Sequence, residues 1–288
     1  AKIAERMRDA AYTASVALAQ EKGAFPKFDA DGYLAEGTFA SRLPEALRPL
    51  PVAPPASAFP HRSAGPASDT EAAIFIGCIA SPYESPTRAA LAQLLAAAGV
   101  RAVIPDGQGC CGMAATHAGD ATQASGLAAA NHRAFAGHAQ VLTLASGCHP
   151  AIAAALPPAS EATDAMAFLA ARADQLAFRS AGGARVALHL PCSQRFAGTQ
   201  DATRALLAKV PELEVAMLPD TGCCGAAGLH MRQEPARAAA LRQPLLDALP
   251  ALSVGAILSA NIGCRLHLAG GTGLPVRHPI DFLAEHLA

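Results

Sequence analysis

Two adjacent cysteine pairs, each held between glycines, carry the first chemistry visible in this chain: Gly109-Cys110-Cys111-Gly112 and Gly222-Cys223-Cys224-Gly225. Each pair has one single cysteine upstream and one downstream. The first set is Cys78, Cys110, Cys111 and Cys148; the second is Cys192, Cys223, Cys224 and Cys264. Cys192 lies 114 residues after Cys78, Cys223 lies 113 after Cys110, and Cys264 lies 116 after Cys148. All 8 cysteines fall into this pattern. A near-constant offset with cysteines as fixed points indicates an internal repeat built around two thiolate-rich sites.

Thiolates are soft ligands that suit iron–sulfur clusters or zinc, and four per repeat suffice for a closed tetrahedral site. Neighbouring cysteines in a strand point to opposite faces, so both reach one site only in a turn. The flanking glycines permit that turn and let backbone N–H groups approach sulfur, where they tune a cluster. A helix after each pair would aim its positive end at an anionic cluster. Three readings stay open on the residues alone: iron–sulfur in both repeats, zinc in one or both sites, and inert or disulfide-bonded cysteines.

The elements that must position these residues follow from the texture of the chain. With 288 residues, 52% of them hydrophobic, it can bury a sizeable core. A formal net charge of −1 argues against a nucleic-acid or membrane-surface binder. No apolar run has the length of a membrane span, and residues 1–20 carry no secretory pattern. The reading is a cytoplasmic chain, where free thiols persist. Residues 1–49 read as a helical segment and the proline-rich 50–70 as a linker. Residues 71–160 form the first cysteine-rich repeat and 161–288 the second.

In the first repeat, the apolar run 72–77 predicts a buried parallel strand ending at Cys78. Ser85-Pro86 starts a helix that Gly99 stops. A strand over 101–105 leads into the first pair, a helix covers 120–137, and the strand 141–145 precedes Cys148. The second repeat retraces this with a strand over 185–190, a helix over 201–209, a strand over 214–219 and a strand over 255–259 before Cys264. The helix 233–249 is expected to kink at Pro235 and Pro244. A helix around 161–180 joins the halves, and a strand over 274–278 with a helix over 279–287 closes the fold. The fold class is therefore α/β: two tandem Rossmann-like repeats with parallel strands, preceded by a helical segment and a Pro-rich linker. Ligands of such sheets sit at the carboxyl ends of the strands, and every cysteine position follows a predicted strand.

At these residues the chain resembles the cysteine-rich CCG domain pair of heterodisulfide reductase-related proteins, and within them the iron–sulfur subunits of glycolate oxidase (glycolate dehydrogenase). The stretches Ser259-Ala260-Asn261-Ile262-Gly263-Cys264, His267-Leu268 and Val276-Arg277-His278-Pro279-Ile280 carry the likeness, with Leu144-Ala145-Ser146-Gly147-Cys148 and Leu190-Pro191-Cys192. It covers about residues 71–288. The resemblance implies that the cysteines hold iron–sulfur clusters of the 4Fe-4S type, with zinc in one site as the variant. It implies flavoprotein dehydrogenase subunits as partners and a quinone or other electron acceptor. It also implies a protein not integral to the membrane, reaching its inner face only through partners. Two departures stand out. Cys148 is followed by His149, Pro150 and Ala151, and Cys264 by Arg265, Leu266 and His267, so the Cys-x-x-Cys ending of some CCG proteins is absent. Nothing upstream of Cys78 contains a cysteine, so the ferredoxin-like region of this branch is read as lacking. Residues 1–48, with Arg6-Met7-Arg8-Asp9-Ala10-Ala11-Tyr12 and Lys22-Gly23-Ala24-Phe25-Pro26, instead resemble a short segment of adenosylcobalamin-dependent ribonucleotide reductases.

The expected function is an iron–sulfur electron-transfer subunit of a flavin-dependent glycolate or similar 2-hydroxy-acid dehydrogenase. A metal-free or zinc-stabilised interaction module is the second reading, and a reductase fragment defined by residues 1–48 the third. No dinucleotide fingerprint or Ser-His-Asp constellation is present, so no catalytic residue is assigned. His149, His189, His230, His267 and His278 lie near cysteines or strand ends and read first as structural; His149 and His267 are the best placed to touch a cluster. Asp106 and Asp220 precede the two pairs and read as turn formers, as does Gly270-Gly271-Thr272-Gly273.

Overall fold

The computed structural model describes residues 63–64, 70–117, 119–227 and 230–288. The helical segment expected over 1–49 and the ribonucleotide-reductase-like stretch lie outside the described residues. Within the segment read as a linker, Ser63–Ala64 forms a short strand, β1.

The first repeat then runs β2 (Glu71–Phe75), α1 (Ala80–Tyr83), α2 (Ser85–Ala97), β3 (Arg101–Val103), α3 (Met113–His117), α4 (Ala121–Ala134), β4 (Gln140–Thr143), α5 (His149–Ala155), β5 (Glu161–Asp164) and α6 (Ala165–Ala170). The second runs β6 (Arg185–Leu188), α7 (Cys192–Ala197), α8 (Gln200–Leu207), β7 (Glu214–Met217), α9 (His230–Gln233), α10 (Pro235–Asp247), α11 (Leu249–Leu252), β8 (Ala256–Leu258), α12 (Ile262–Ala269), β9 (Val276–Arg277) and α13 (Pro279–Glu285).

The sheet orders are β1-β3-β2-β4-β5 and β7-β6-β8-β9. Apart from β1, which runs antiparallel to β3, every pairing is parallel. The two sheets therefore repeat one topology, and the tandem Rossmann-like reading of the sequence stands. Short apolar runs buried on both faces explain the central strands: Ala72, Ala73, Ile74 and Phe75 in β2, and Val186, Ala187 and Leu188 in β6, are all buried.

Local chemistry sets the helix ends. Pro86 sits in the first turn of α2, where its missing N–H leaves no bond broken. Asp120 caps α4 by accepting from the Gln123 amide at 3.0 Å. The structure differs from the sequence expectation at two places. Pro235 begins α10 rather than kinking it, so the expected helix is split after Gln233; Pro244 does lie inside α10. The helix expected around 161–180 is replaced by β5, the short α6 and a 3-10 turn over Ala173–Gln175, and because β5 pairs with β4 the first sheet extends past the boundary expected at residue 160. The polar run Glu161-Ala162-Thr163-Asp164 shows no strand pattern, but pairing with β4 in register Gln140↔Glu161 through Thr143↔Asp164 makes it one.

Asp164 then caps α6, accepting from the amides of Met166 at 2.9 Å and Ala167 at 3.3 Å. Burial pushes its carboxyl from 3.8 up to about 6, against the pull of those amides. The native state thus holds a proton that the unfolded chain has already released, so stability falls as pH rises from about 4 to about 6. Asp164→Asn keeps a cap acceptor and removes the charge. It is expected to abolish that slope and to stabilise the protein at pH 7 by up to roughly 3 kcal/mol, read as a shift in the urea midpoint across pH.

Among the described residues one apolar cluster joins the repeats, and each repeat has a smaller cluster of its own. Leu91, Leu94 and Leu95 of α2 meet Phe282 and Leu283 of α13, and Phe168 and Leu169 of α6 meet Leu206 and Leu207 of α8. The last helix of each repeat thus covers the first long helix of the other. His278 adds a polar link. Its Nδ1 accepts from the Ile280 amide at 3.0 Å, so the ring proton falls on Nε2, which donates to Leu144 O at 3.2 Å. Burial, with Arg265 nearby, holds this imidazole well below its usual range and therefore neutral.

Candidate metal centres

Each cysteine follows a strand, and the four of each repeat converge at the carboxyl ends of their sheet. In the first repeat Cys78 Sγ lies 3.4 Å from Cys110 Sγ, and the Cys111 thiol interacts with those of Cys110 and Cys148. In the second, Cys224 Sγ lies 3.0 Å from Cys264 Sγ, and the Cys223 thiol interacts with those of Cys224 and Cys192. All eight are free thiols. Cys111, Cys224 and Cys264 are buried, whereas Cys78 is exposed.

The adjacent pairs sit in the expected glycine turns. The amide of Gly112 donates to Cys110 Sγ at 3.5 Å and that of Gly225 to Cys223 Sγ at 3.3 Å. Both glycines have left-handed backbone, φ +82 and φ +94. A Cβ on Gly225 would lie 2.5 Å from Ala238 O, while one on Gly112 would lie 3.5 Å from Ala124 O. Gly225→Ala is therefore expected to destabilise more than Gly112→Ala. Both carry the left-handed penalty of about 1–2 kcal/mol, and only Gly225 adds a backbone clash worth a further ~1–3 kcal/mol. Chemical denaturation of the two variants side by side reads the difference.

The sulfurs share protons unequally. Cys110 is pushed down to about 3, first because the Cys111 thiol donates to it and then because Cys78 does. Cys111 and Cys78 are pushed up as the donors of those bonds. In the second repeat the Cys223 thiol is pushed up chiefly by its bond to Cys224. That bond pulls Cys224 down, but donation to Cys264 and burial outweigh it, so Cys224 is also raised. Thiols so arranged must release protons to a metal, which then gains affinity as pH rises.

Helix N-termini surround the sulfurs to a degree the sequence reading did not foresee. Cys148 precedes α5, Cys192 opens α7 and Cys264 stands in the first turn of α12. The two sites are also tied together. Asn261 Oδ1 accepts from the Cys264 amide at 3.2 Å, and its Nδ2 donates to Ser193 Oγ at 3.1 Å and Ser146 Oγ at 3.4 Å. The Ser146 and Ser193 hydroxyls are 2.7 Å apart. Residues beside Cys148, Cys192 and Cys264 thus form one network across the repeat boundary.

The histidines sort differently from the sequence expectation. His149 is hydrogen-bonded through Nδ1 to Thr143 Oγ1 at 2.9 Å. His267 is turned to Ala238 O at 3.0 Å and His230 to Gly225 O at 2.9 Å. His189, read as structural, has a ring nitrogen within 4.8 Å of the sulfurs of Cys224 and Cys264. Its place at a strand end, just before Cys192, was the signal that could have found it. Asp220 is the turn former expected: it accepts from the Gly222 amide at 3.0 Å and pairs with Arg195.

This fold and these cysteine sites place the chain in a defined class. Residues 72–153 and 186–269, more than half of the sequence, match the CCG cysteine-rich domain, and the chain belongs to that family. It is 28% identical over 199 residues to a subunit of the fumarate reductase (CoM/CoB) of Methanothermobacter marburgensis, covering 67% of this chain and 40% of that protein. It is 30% identical over 235 residues to the glycolate oxidase iron-sulfur subunit of Escherichia coli, covering 73% of this chain and 56% of that protein. A subunit of the anaerobic glycerol-3-phosphate dehydrogenase of Escherichia coli matches at 29% over 106 residues, 36% of this chain and 26% of that protein. The chain thus spans about half the length of the first two relatives. Among the described residues no helix is long and apolar enough to cross a membrane.

The donor set fits an iron–sulfur group. Four free sulfurs per repeat, glycine amides already directed at two of them and apolar residues behind them suit a soft, anionic cluster.

Proposed function

We propose that this chain is an iron–sulfur electron-transfer subunit of a flavin-dependent dehydrogenase that oxidises glycolate or a similar 2-hydroxy acid. Cys78, Cys110, Cys111 and Cys148 would hold one 4Fe-4S-type cluster, and Cys192, Cys223, Cys224 and Cys264 the other. The observation that carries the reading is the convergence of both four-cysteine sets at the strand ends of a duplicated CCG fold. The similarity to the glycolate oxidase iron-sulfur subunit supports the choice of complex. Each cluster, when bound, supplies a one-electron store.

The residues around it have separate tasks. The Gly112 and Gly225 amides donate to sulfur and stabilise the reduced, more negative state. Exposed Cys78 brings the first centre to the surface, where a flavoprotein subunit or a quinone-type acceptor can approach. The Asn261–Ser146–Ser193 network fixes the two sites relative to each other. The proposed location is cytoplasmic, at the membrane only through partners.

The test is metal and acid-labile sulfide analysis of protein purified without oxygen, followed by mixing with the flavoprotein subunits and glycolate. Iron and sulfide in near-equal amounts, with visible absorbance bleached by glycolate, is the expected result. Zinc without sulfide would replace this reading with that of a zinc-stabilised interaction module.

A further inference from the structure

The two repeats differ at one position that faces sulfur. Counting back three residues from the first cysteine of each repeat gives Phe75 and His189. The sheet register makes them equivalent. Phe75 pairs with Thr143 across β2 and β4; Leu188 pairs with Leu258 across β6 and β8, so His189 and Ser259 are the next pair. In the first repeat Phe75 closes the site with an apolar ring, 6.3 Å from the ring of Phe135. In the second repeat the same position holds an imidazole, 6% exposed, within ligand distance of the sulfurs of Cys224 and Cys264.

The ring is also oriented as a ligand would be. Its Nδ1 is hydrogen-bonded to Ser259 Oγ at 3.0 Å. With that nitrogen engaged, Nε2 is the one left to meet a metal. Histidine ligands are commonly fixed in this way, one nitrogen on the metal and the other on an orienting hydroxyl, carboxylate or carbonyl.

We propose that His189 is a donor to the metal centre of the second repeat through Nε2, oriented by Ser259, and that the protein therefore carries two chemically distinct centres. The first is held by thiolate alone and the second by thiolate and imidazole. This rests on the electron-transfer reading above for the identity of the metal, but not for the identity of the donor. An imidazole beside the thiolates gives the second centre a ligand set unlike that of the all-thiolate first centre, so the two centres would differ in potential.

The test is pulsed electron paramagnetic resonance on the full chain, assembled anaerobically with iron and sulfide and labelled with 15N-histidine. The Cys110→Ser/Cys111→Ser background isolates the second centre. The expected result is one directly bonded nitrogen on that centre, lost in His189→Phe and retained in His149→Gln. Ser259→Ala should keep the coupling but change its magnitude. An assembled second centre with no bonded nitrogen overturns the proposal while leaving the electron-transfer reading intact, and the assembled centre itself shows that the background variant has folded. If the purified chain holds zinc instead, X-ray absorption at the zinc edge decides: a nitrogen shell supports His189 and overturns the iron reading, whereas sulfur alone overturns both. A chain that takes up neither metal also overturns both.

Discussion

Cys224→Ser is expected to remove about half of the iron and sulfide from the anaerobically purified protein and to leave the other half in place, because each repeat is proposed to hold its own centre. Cys224 is the thiol to test because it is buried and central, next to Cys223 in the chain and 3.0 Å from Cys264. A hydroxyl there is a hard, poorly ionised donor that cannot replace a thiolate on iron. It also leaves a polar group in an apolar cluster with Leu245, Ile257 and Leu268, at a cost of about 1–3 kcal/mol even without metal. Cys111→Ser, the matching change in the first repeat, should remove the complementary half. Cys78→Ser should be milder, since water can reach that exposed position. Metal and sulfide analysis of the three variants checks this. Loss of all iron in either buried variant would instead mean one centre shared by both repeats.

The second large effect concerns a charge pair at the boundary between the repeats. Glu84, between α1 and α2, pairs with Arg265, the residue after Cys264. Both are buried, at 0% and 6% exposure. Arg88 lies near the same carboxylate but directs its guanidinium to Ala80 O at 3.0 Å and Ser81 O at 2.8 Å. Arg265→Met would remove the ion-pair partner of a fully buried carboxylate and leave only the nearby Arg88 to offset its charge, with an expected loss of about 3 kcal/mol at pH 7. Burial already pushes Glu84 above its ordinary range, against the pull of Arg265 and Arg88. Removing Arg265 raises it further. The folded variant would then bind a proton that the unfolded chain does not, so its stability should recover as pH falls through the raised value towards the ordinary one. Glu84→Gln/Arg265→Met should regain much of the loss at pH 7. Urea unfolding of the three proteins at pH 7 and pH 5 tests both claims; equal losses in the single and double variants would show that the charge is not the cause.

How much of this was legible in the sequence depends on the range of the interaction involved. The eight cysteines, their two sets and the strands that precede them were readable because each signal is local: a buried apolar run, a glycine turn, a proline in a first helical turn. Repetition at a fixed offset then required the same topology twice, and the parallel sheets of both repeats follow it. Strand β5 was not readable, because Glu161-Ala162-Thr163-Asp164 becomes a strand only by hydrogen bonding to β4. Nor could spacing rank the histidines. His149 and His267 stand closest to cysteines in sequence, yet their ring nitrogens go to Thr143 and Ala238. His189 reaches the sulfurs of Cys224 and Cys264, which lie 35 and 75 residues further along the chain. The pairing of Glu84 with Arg265 spans 181 residues. Sequence determined the cysteines and the elements that carry them, since both are set by neighbours along the chain. Tertiary structure decided which side chains face those sulfurs, because that depends on strand register and on two repeats closing over a common core.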